Sequence, residues 1–549
     1  MLIVTQNRDF YVHSTLKKRL PCQLACPHSN DATMLPMSIA FTDTRGLIKA
    51  PVSFTEAILA GLAPGGGLFV PTRLPHFDAQ ELSELRVLPY HARAEWLYRA
   101  FGVDLESEAL ASLCADAYGE QWDDPRIAPI RSLANGTSVL ELWHGPTSAF
   151  KDLALQLMPR TFSAAIKKQR AEGGLNHDVL ILVATSGDTG SAALSGFAER
   201  PHTNIIVFYP AGGVSEIQRR QMASQAGNNL AVFGVEGNFD DCQNAVKAAF
   251  NDAELCERLT TEANLQFSSA NSINWGRLMP QIVYYLSATA ELCATGAITP
   301  ERPLDIAVPT GNFGNILAAW YAKHMGAPIG QLICASNENK VLADFLESGV
   351  YDIRDRLFTT TPTPSMDILI SSNLERLLYE LAGDGACAAW MDELRHEKRF
   401  AVDASTLAII KNEFVGGWLS NDGTLAAIRR LYEEQRYLCD PHSALAVEVG
   451  QRLRSADRPL LVAATAHWAK FAPDVTRALT GTAYGAELPA DYAACSEFDL
   501  MHKVQELAPG SGRIPTHLAN LANRPERFNA VIPAGANAVR DAVLSFIQQ

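Results

Sequence analysis

Short apolar runs punctuate the chain at Val179–Ala184, Asn204–Tyr209, Leu230–Val235, Ile306–Val308, Leu332–Ala335 and Leu460–Ala464. A Gly/Ser/Thr turn and then apolar positions at helical spacing follow these runs. Runs this short and continuous suit strands buried on both faces, and their alternation with helices predicts parallel sheets covered on either side. In such sheets, ligands bind beyond the carboxyl ends of the strands. Residues 53–130 read differently. Phe54, Ala57, Ile58 and Gly61 fall at helical spacing ahead of a Gly-rich turn, Pro64 to Gly67, which predicts a small and mostly helical leading domain.

Size and composition narrow the classes. A chain of 549 residues exceeds what one core can serve, so two or three domains are expected. Hydrophobic residues at 47% and charged residues at 19% are the usage of a folded globular protein. The net charge of −14, with no stripe of Lys and Arg, argues against nucleic acid as a partner. No apolar run reaches the roughly 18–20 residues that span a bilayer. The ten cysteines are scattered, which predicts a reducing cytosol and not a disulfide scaffold. Cys22, Cys26 and His28 lack a fourth ligand at zinc spacing, so no metal is expected. Residues 1–37 carry little periodicity and are expected to be a poorly ordered extension, or to precede a true start at Met34 or Met37.

Two turns carry candidate chemistry. After Val179–Ala184 comes Thr185-Ser186-Gly187-Asp188-Thr189-Gly190, and after Ile306–Pro309 comes Thr310-Gly311-Asn312-Phe313-Gly314-Asn315, each opening a helical pattern. A helix start leaves backbone N–H groups unpaired and directs the positive end of its dipole outward, so an anion fits there. A plain capped turn explains either loop alone; two of them point to two phosphates. Neither matches the dinucleotide or nucleoside-triphosphate patterns. Between an aromatic, apolar run and a helical stretch stands Lys151, in Trp143-His144-Gly145-Pro146-Thr147-Ser148-Ala149-Phe150-Lys151-Asp152. Read alone it is a surface lysine at a helix start; desolvated, it is a nucleophilic amine suited to a carbonyl.

These residues, together with Ser269-Ala270-Asn271-Ser272-Ile273-Asn274-Trp275-Gly276-Arg277, Ser365-Met366-Asp367-Ile368, Asp440-Pro441-His442-Ser443-Ala444 and Thr465-Ala466-His467, resemble threonine synthase from about residue 38 to at least 475. The resemblance implies an α/β, fold-type II pyridoxal-phosphate enzyme, similar to the tryptophan synthase beta chain, with flanked parallel sheets behind a small N-terminal domain. It divides the chain into residues 38–130 and a catalytic region 131–549, the latter split into a smaller α/β subdomain at about 156–270 and a larger one. It further implies that Lys151 carries pyridoxal 5'-phosphate as a Schiff base. Gly311, Asn312, Phe313, Gly314 and Asn315 would hold the cofactor phosphate, and Thr465 would meet the pyridine nitrogen. Ser186, Asp188, Thr189 and Arg277, with Asn337 nearby, would bind the substrate phosphate. Trp468 replaces the family's usual proline and Lys340 stands where some relatives carry an acid, both expected near the pocket.

The implied reaction converts O-phosphohomoserine and water to threonine and phosphate, in a cytoplasmic monomer or homodimer. Three rivals stand beside it: a related phospholyase that yields a keto acid, a dehydratase, and a cofactor-binding module without turnover. A second phosphate cradle has no use in a dehydratase. His144 and His467 are expected to orient loops, Cys439 to be buried, and the stretch after about 480 either to cap the larger domain or to meet another subunit.

Overall fold

In a computed structural model, which describes residues 38–548, all the apolar runs above form strands. The leading segment pairs β1 (Phe41–Asp43) with β2 (Phe69–Pro71) and adds helices Phe54–Ala60, Ala79–Leu85, Tyr90–Ala100 and Ser107–Ala117. The expected helix at Phe54 starts on a capping box: Ser53 accepts from the Glu56 N–H and Glu56 reaches back to the Ser53 N–H.

The larger sheet holds β3 (Ile130–Ser132), β4 (Thr137–Glu141), β9 (Leu304–Pro309), β10 (Ile329–Ser336), β13 (Phe414–Trp418) and β14 (Leu460–Ala464), in the order β13-β10-β9-β14-β4-β3. Only β3 runs antiparallel to its neighbour. The smaller sheet is parallel throughout: β5 (Asp178–Ala184), β6 (Thr203–Pro210), β7 (Leu230–Glu236), β8 (Leu265–Ser268) and β15 (Val531–Pro533), ordered β15-β7-β6-β5-β8. A short antiparallel pair, β11 (Val350–Asp352) and β12 (Arg399–Ala401), lies apart.

Alternation of side chains explains why the strands read as unbroken apolar runs. In β5, Val179, Ile181 and Val183 enter the core shared with the larger sheet, whereas Leu180, Leu182 and Ala184 enter a second core on the far face. In β14, Leu461 and Ala463 face the shared core and Leu460, Val462 and Ala464 the other side. The helix Trp275–Ala294 runs through the shared core, buried from Trp275 to Ala290. Its N-cap Asn274 accepts from the Gly276 N–H, while the same side chain's amide donates to the carbonyls of Ile58 and Ser269. That fixes the first turn, where Arg277 sits, against the leading segment.

The tail does two things. Leu500, Met501, Val504 and Leu518 cap the outer face of the larger sheet beside β14, and β15 with the helix Ala536–Ile547 then extends the smaller sheet. The smaller layer thus extends beyond the expected 156–270 and takes part of the C-terminal stretch; Val531-Ile532-Pro533 is too short to stand out as a strand in the sequence. No described helix is long and apolar enough to cross a membrane. Residues 1–37, with the Cys22, Cys26 and His28 group, lie outside the described residues.

Candidate active site

Each candidate segment leaves the carboxyl end of a strand. Residues 142–150 follow β4, 185–190 follow β5, 310–315 follow β9, Asn337 follows β10 and Thr465 follows β14. The loop after β4 is zipped along the segment after β14: Leu142 N–H donates to the Ala464 carbonyl (2.9 Å), Phe150 N–H to that of Thr465 (2.8 Å), and His467 N–H to that of Ser148 (3.1 Å). Inside the loop, Asp152 accepts from the Thr147 N–H and hydroxyl, and burial pushes its carboxyl up to about 6.

Lys151 opens the helix Lys151–Leu155 and is buried, not exposed as its position at a helix start would suggest for an isolated lysine. Its Nζ donates to Ser365 Oγ (3.3 Å), lies 3.6 Å from Asp188 Oδ2 and sits 4.7 Å from the centroid of the Phe150 ring. Burial, opposed by Asp188 and reinforced by Lys470 and Arg277, brings the ammonium down to about 8. A neutral amine is therefore within easy reach of ordinary pH.

Ser365 joins the lysine to the second glycine turn. A Cβ on Gly311 would stand 2.8 Å from the Ser365 carbonyl oxygen and 3.1 Å from Met366 Cα, so only glycine lets the two backbones meet. Gly311→Ala is expected to cost about 1–3 kcal/mol, read as a lower midpoint in denaturant unfolding, because backbone must move. The turn's carbonyls are tied back, Gly311 O accepting from Ser371 Oγ and Asn312 O from Asn373 N–H. Phe313 takes a left-handed conformation (φ 63°) as the helix Gly314–His324 begins. Asn315 accepts through Oδ1 from Tyr284 and Tyr285, which leaves its buried Nδ2 without a partner among the described residues. An orphaned donor at a helix start, beside a turn whose acceptors are consumed, fits a phosphate. Thr465 is held by its backbone, N–H to Ser443 Oγ and carbonyl to Phe150 N–H.

The first glycine turn lies across from it. Thr185 Oγ1 accepts from the N–H groups of Gly187 and Gly190, and Gly187 adopts φ 123°. Asp188 is buried and ionised: burial opposes its charge, yet Lys470 and then Lys151 hold its carboxyl well below the usual range. Ser186 and Thr189 are half-buried on the same turn. Arg277 is buried in the first turn of its helix, where the dipole already disfavours a cation. Its Nη1 donates to the Ala270 carbonyl (2.6 Å), its Nε has no partner, no carboxylate among the described residues pairs with it, and burial pushes it down to about 10. A buried guanidinium left uncompensated calls for an anion.

Asn337 is placed otherwise than a phosphate ligand would be. Its amide nitrogen donates to Thr361 Oγ1, Thr363 Oγ1 and Asp367 Oδ1, and its Oδ1 accepts from Asn339 N–H, so it braces the loop that presents Ser365. Trp468 is buried, with Nε1 donating to the Ser511 carbonyl, and Lys340 lies over the Trp418 ring beside Asp344; neither contacts Lys151 or Arg277. His144 is clamped by Asp123 and Glu141, His467 takes the Ala469 N–H, and Cys439 is buried.

The site also holds residues to which the sequence pattern assigns no role. Ser365, Gln218 and Lys470 touch Lys151 or Asp188 directly. His442 accepts the Ser365 N–H at Nε2, and its Nδ1 is bonded to Asp440. Ser365 and His442 fall within motifs quoted above, Gln218 carries no local mark, and Lys470 inside the apolar Trp468–Phe471 stretch is the sequence signal of a buried charge.

Residues 40–118 match the family described as Threonine synthase N terminus, 138–412 that described as Pyridoxal-phosphate dependent enzyme, and 443–543 that described as Threonine synthase, C-terminal. The chain is 37% identical over 491 residues to the threonine synthase of Pseudomonas aeruginosa, covering 89% of this chain and 94% of that one. It is 44% identical over 437 residues to Threonine synthase-like 1 of Homo sapiens, covering 78% of this chain; the chain spans 58% of that relative's length. The crystal structure of PLP-bound threonine synthase from Brucella melitensis is similar at 37% identity and a TM-score of 0.79, covering 93% of this chain and 100% of that one. The yeast threonine synthase structure is similar at 32% and 0.79, covering 93% and 99%. The fold-type II architecture agrees with these matches: the chain belongs to the threonine synthase family of pyridoxal-phosphate-dependent enzymes.

Proposed function

We propose that the protein converts O-phospho-L-homoserine and water to L-threonine and phosphate, the last step of threonine biosynthesis. One observation carries this reading: a buried amine and a buried, uncompensated guanidinium share a site with a glycine turn fit for a second phosphate. When bound, pyridoxal phosphate supplies the electron sink that makes carbon acidity accessible. Lys151 would carry it, Gly311, Asn312, Phe313, Gly314 and Asn315 would hold its phosphate, and the Thr465 hydroxyl would meet its ring nitrogen.

Lys151 moves protons at the alpha and beta carbons of the substrate, which requires the neutral amine that burial favours. Arg277, with the hydroxyls of Ser186 and Thr189, binds the substrate phosphate and stabilises charge as it departs. Asp188, ionised and shared by two amines, faces the lysines instead of the anion. Asn337 contributes through the Ser365 loop. Water adds at the beta carbon after phosphate has left the gamma carbon.

Residues 38–130 would form the N-terminal domain and 131–549 the catalytic region, with a smaller subdomain at about 156–270, in a monomer or homodimer. A reducing, cytoplasmic setting suits the described cysteines, which are unpaired thiols. The 44% identity to Threonine synthase-like 1 keeps one second reading, a phospholyase giving 2-oxobutanoate, phosphate and ammonia. Mass spectrometry of products from phosphohomoserine, with and without added pyridoxal phosphate, decides. Threonine and phosphate are expected; 2-oxobutanoate selects the second reading, and no phosphate release rejects both.

A further inference from the structure

We propose that Lys470 is a positioning residue for the reaction at Lys151: it fixes Asp188 as a carboxylate beside the lysine nitrogen, while its own charge favours the uncharged amine. The proposal rests on Lys151 being the lysine that carries the cofactor.

Lys470 is fully buried in the 3-10 turn Trp468–Phe471. An ammonium buried this completely is costly unless paired and bonded. Its Nζ is 2.7 Å from Asp188 Oδ1 and donates to the Thr147 carbonyl at 2.9 Å. Gln218 Nε2 donates to the same Asp188 Oδ1 at 2.8 Å, so that oxygen is pinned and Oδ2 is left at 3.6 Å from Lys151 Nζ. Two amines thus share one carboxylate, and the charge on one bears on the proton of the other. The bond to Thr147 also ties Lys470 to the loop that ends on Lys151, which Gln221 Nε2 reinforces at the same carbonyl.

Charged and polar groups act on Lys151 from several elements, Asp188, Ser365 and Phe150 by contact and Arg277 and Lys470 through their charge. Asp188 belongs to the helix Asp188–Phe197, Ser365 to its loop and the Phe150 ring to the preceding residue, while the charges come from Arg277 in the helix Trp275–Ala294 and Lys470 in its turn. Around Lys470 itself stand Asp188 and the Thr147 carbonyl, with Asp152, His467 and His517 near enough to feel its charge. Asp188 is the nearer charge to Lys151 and opposes the other two. Removing Lys470 therefore leaves Lys151 holding its proton more tightly, and removing the Asp188 charge does the reverse.

The test is a pH titration of the bound cofactor's near-visible absorbance in holoenzyme of the wild type, Lys470→Met, Lys470→Arg and Asp188→Asn. The midpoint is expected to rise by about one pH unit in Lys470→Met, to return toward wild type in Lys470→Arg, and to fall by about one unit in Asp188→Asn. In Lys470→Met, kcat is expected to fall about tenfold or more with KM little changed. A merely structural pair moves neither midpoint, so unchanged values, or shifts of both variants in one direction, overturn the proposal. If Lys470→Met does not fold, Lys470→Gln, which keeps a donor for Asp188 and the Thr147 carbonyl without the charge, replaces it in the titration with the same upward shift expected, and an unchanged midpoint there overturns the proposal. A wild type without the absorbance overturns the Lys151 reading, and the proposal with it.

Discussion

Lys151→Ala is expected to lower kcat by a factor of about 10⁴ or more, because in the proposed reaction the same amine both carries the cofactor and moves protons. The loss should be visible twice. Phosphate release from phosphohomoserine falls to background, and protein dialysed after loading with pyridoxal phosphate no longer shows the absorbance that marks covalent attachment. Folding should survive, since Asp188 keeps the Lys470 ammonium and the Gln218 amide, and the helix that Lys151 opens is held by Leu153 and Leu155 in the core. Thermal midpoints close to wild type, with activity gone, separate chemistry from collapse. Retained absorbance in the alanine variant would place the cofactor on a different amine, and Lys470 would be the first to test.

Much of the architecture was readable because strands buried on both faces leave a strong mark. Val179–Ala184 and Leu460–Ala464 contribute to two cores at once, so no polar position interrupts them. The strands that escaped notice lack that mark. Phe414–Trp418 carries Gly416 and Gly417, where a Cβ on Gly416 would meet Ala343 Cα at 2.7 Å, so close packing removed the side chains that would have announced a strand. Thr137–Glu141 begins and ends polar, Thr137 accepting from Gln451 at its hydroxyl and Glu141 accepting from Tyr437 and pairing with His144. In the site, the turns and Lys151 were legible as local patterns. Ser365 lies 214 residues from the lysine it touches, and Asn337 carries no local sign that its amide is spent on Thr361, Thr363 and Asp367. Contacts of that kind belong to tertiary structure, and no spacing along the chain encodes them.

Arg277→Met is expected to separate function from stability in the opposite sense to most buried substitutions. The arginine is desolvated, has an Nε without a partner and stands at the positive end of its own helix. Exchanging a buried, poorly compensated charge for an apolar chain of similar length is neutral to stabilising, by up to about 1–4 kcal/mol. The thermal midpoint should therefore hold or rise. Activity should not: if Arg277 grips the departing phosphate as proposed, its loss costs about 10²–10³ in kcat/KM, and the inhibition constant of inorganic phosphate should climb alongside. Arg277→Lys should restore little, because a point charge on a flexible stem does not reproduce the planar fork that grips two phosphate oxygens. If the methionine variant instead unfolds more easily and keeps its kcat/KM, Arg277 is a structural cation, and the substrate phosphate must be bound elsewhere, with the half-buried hydroxyls of Ser186 and Thr189 as the remaining anchor.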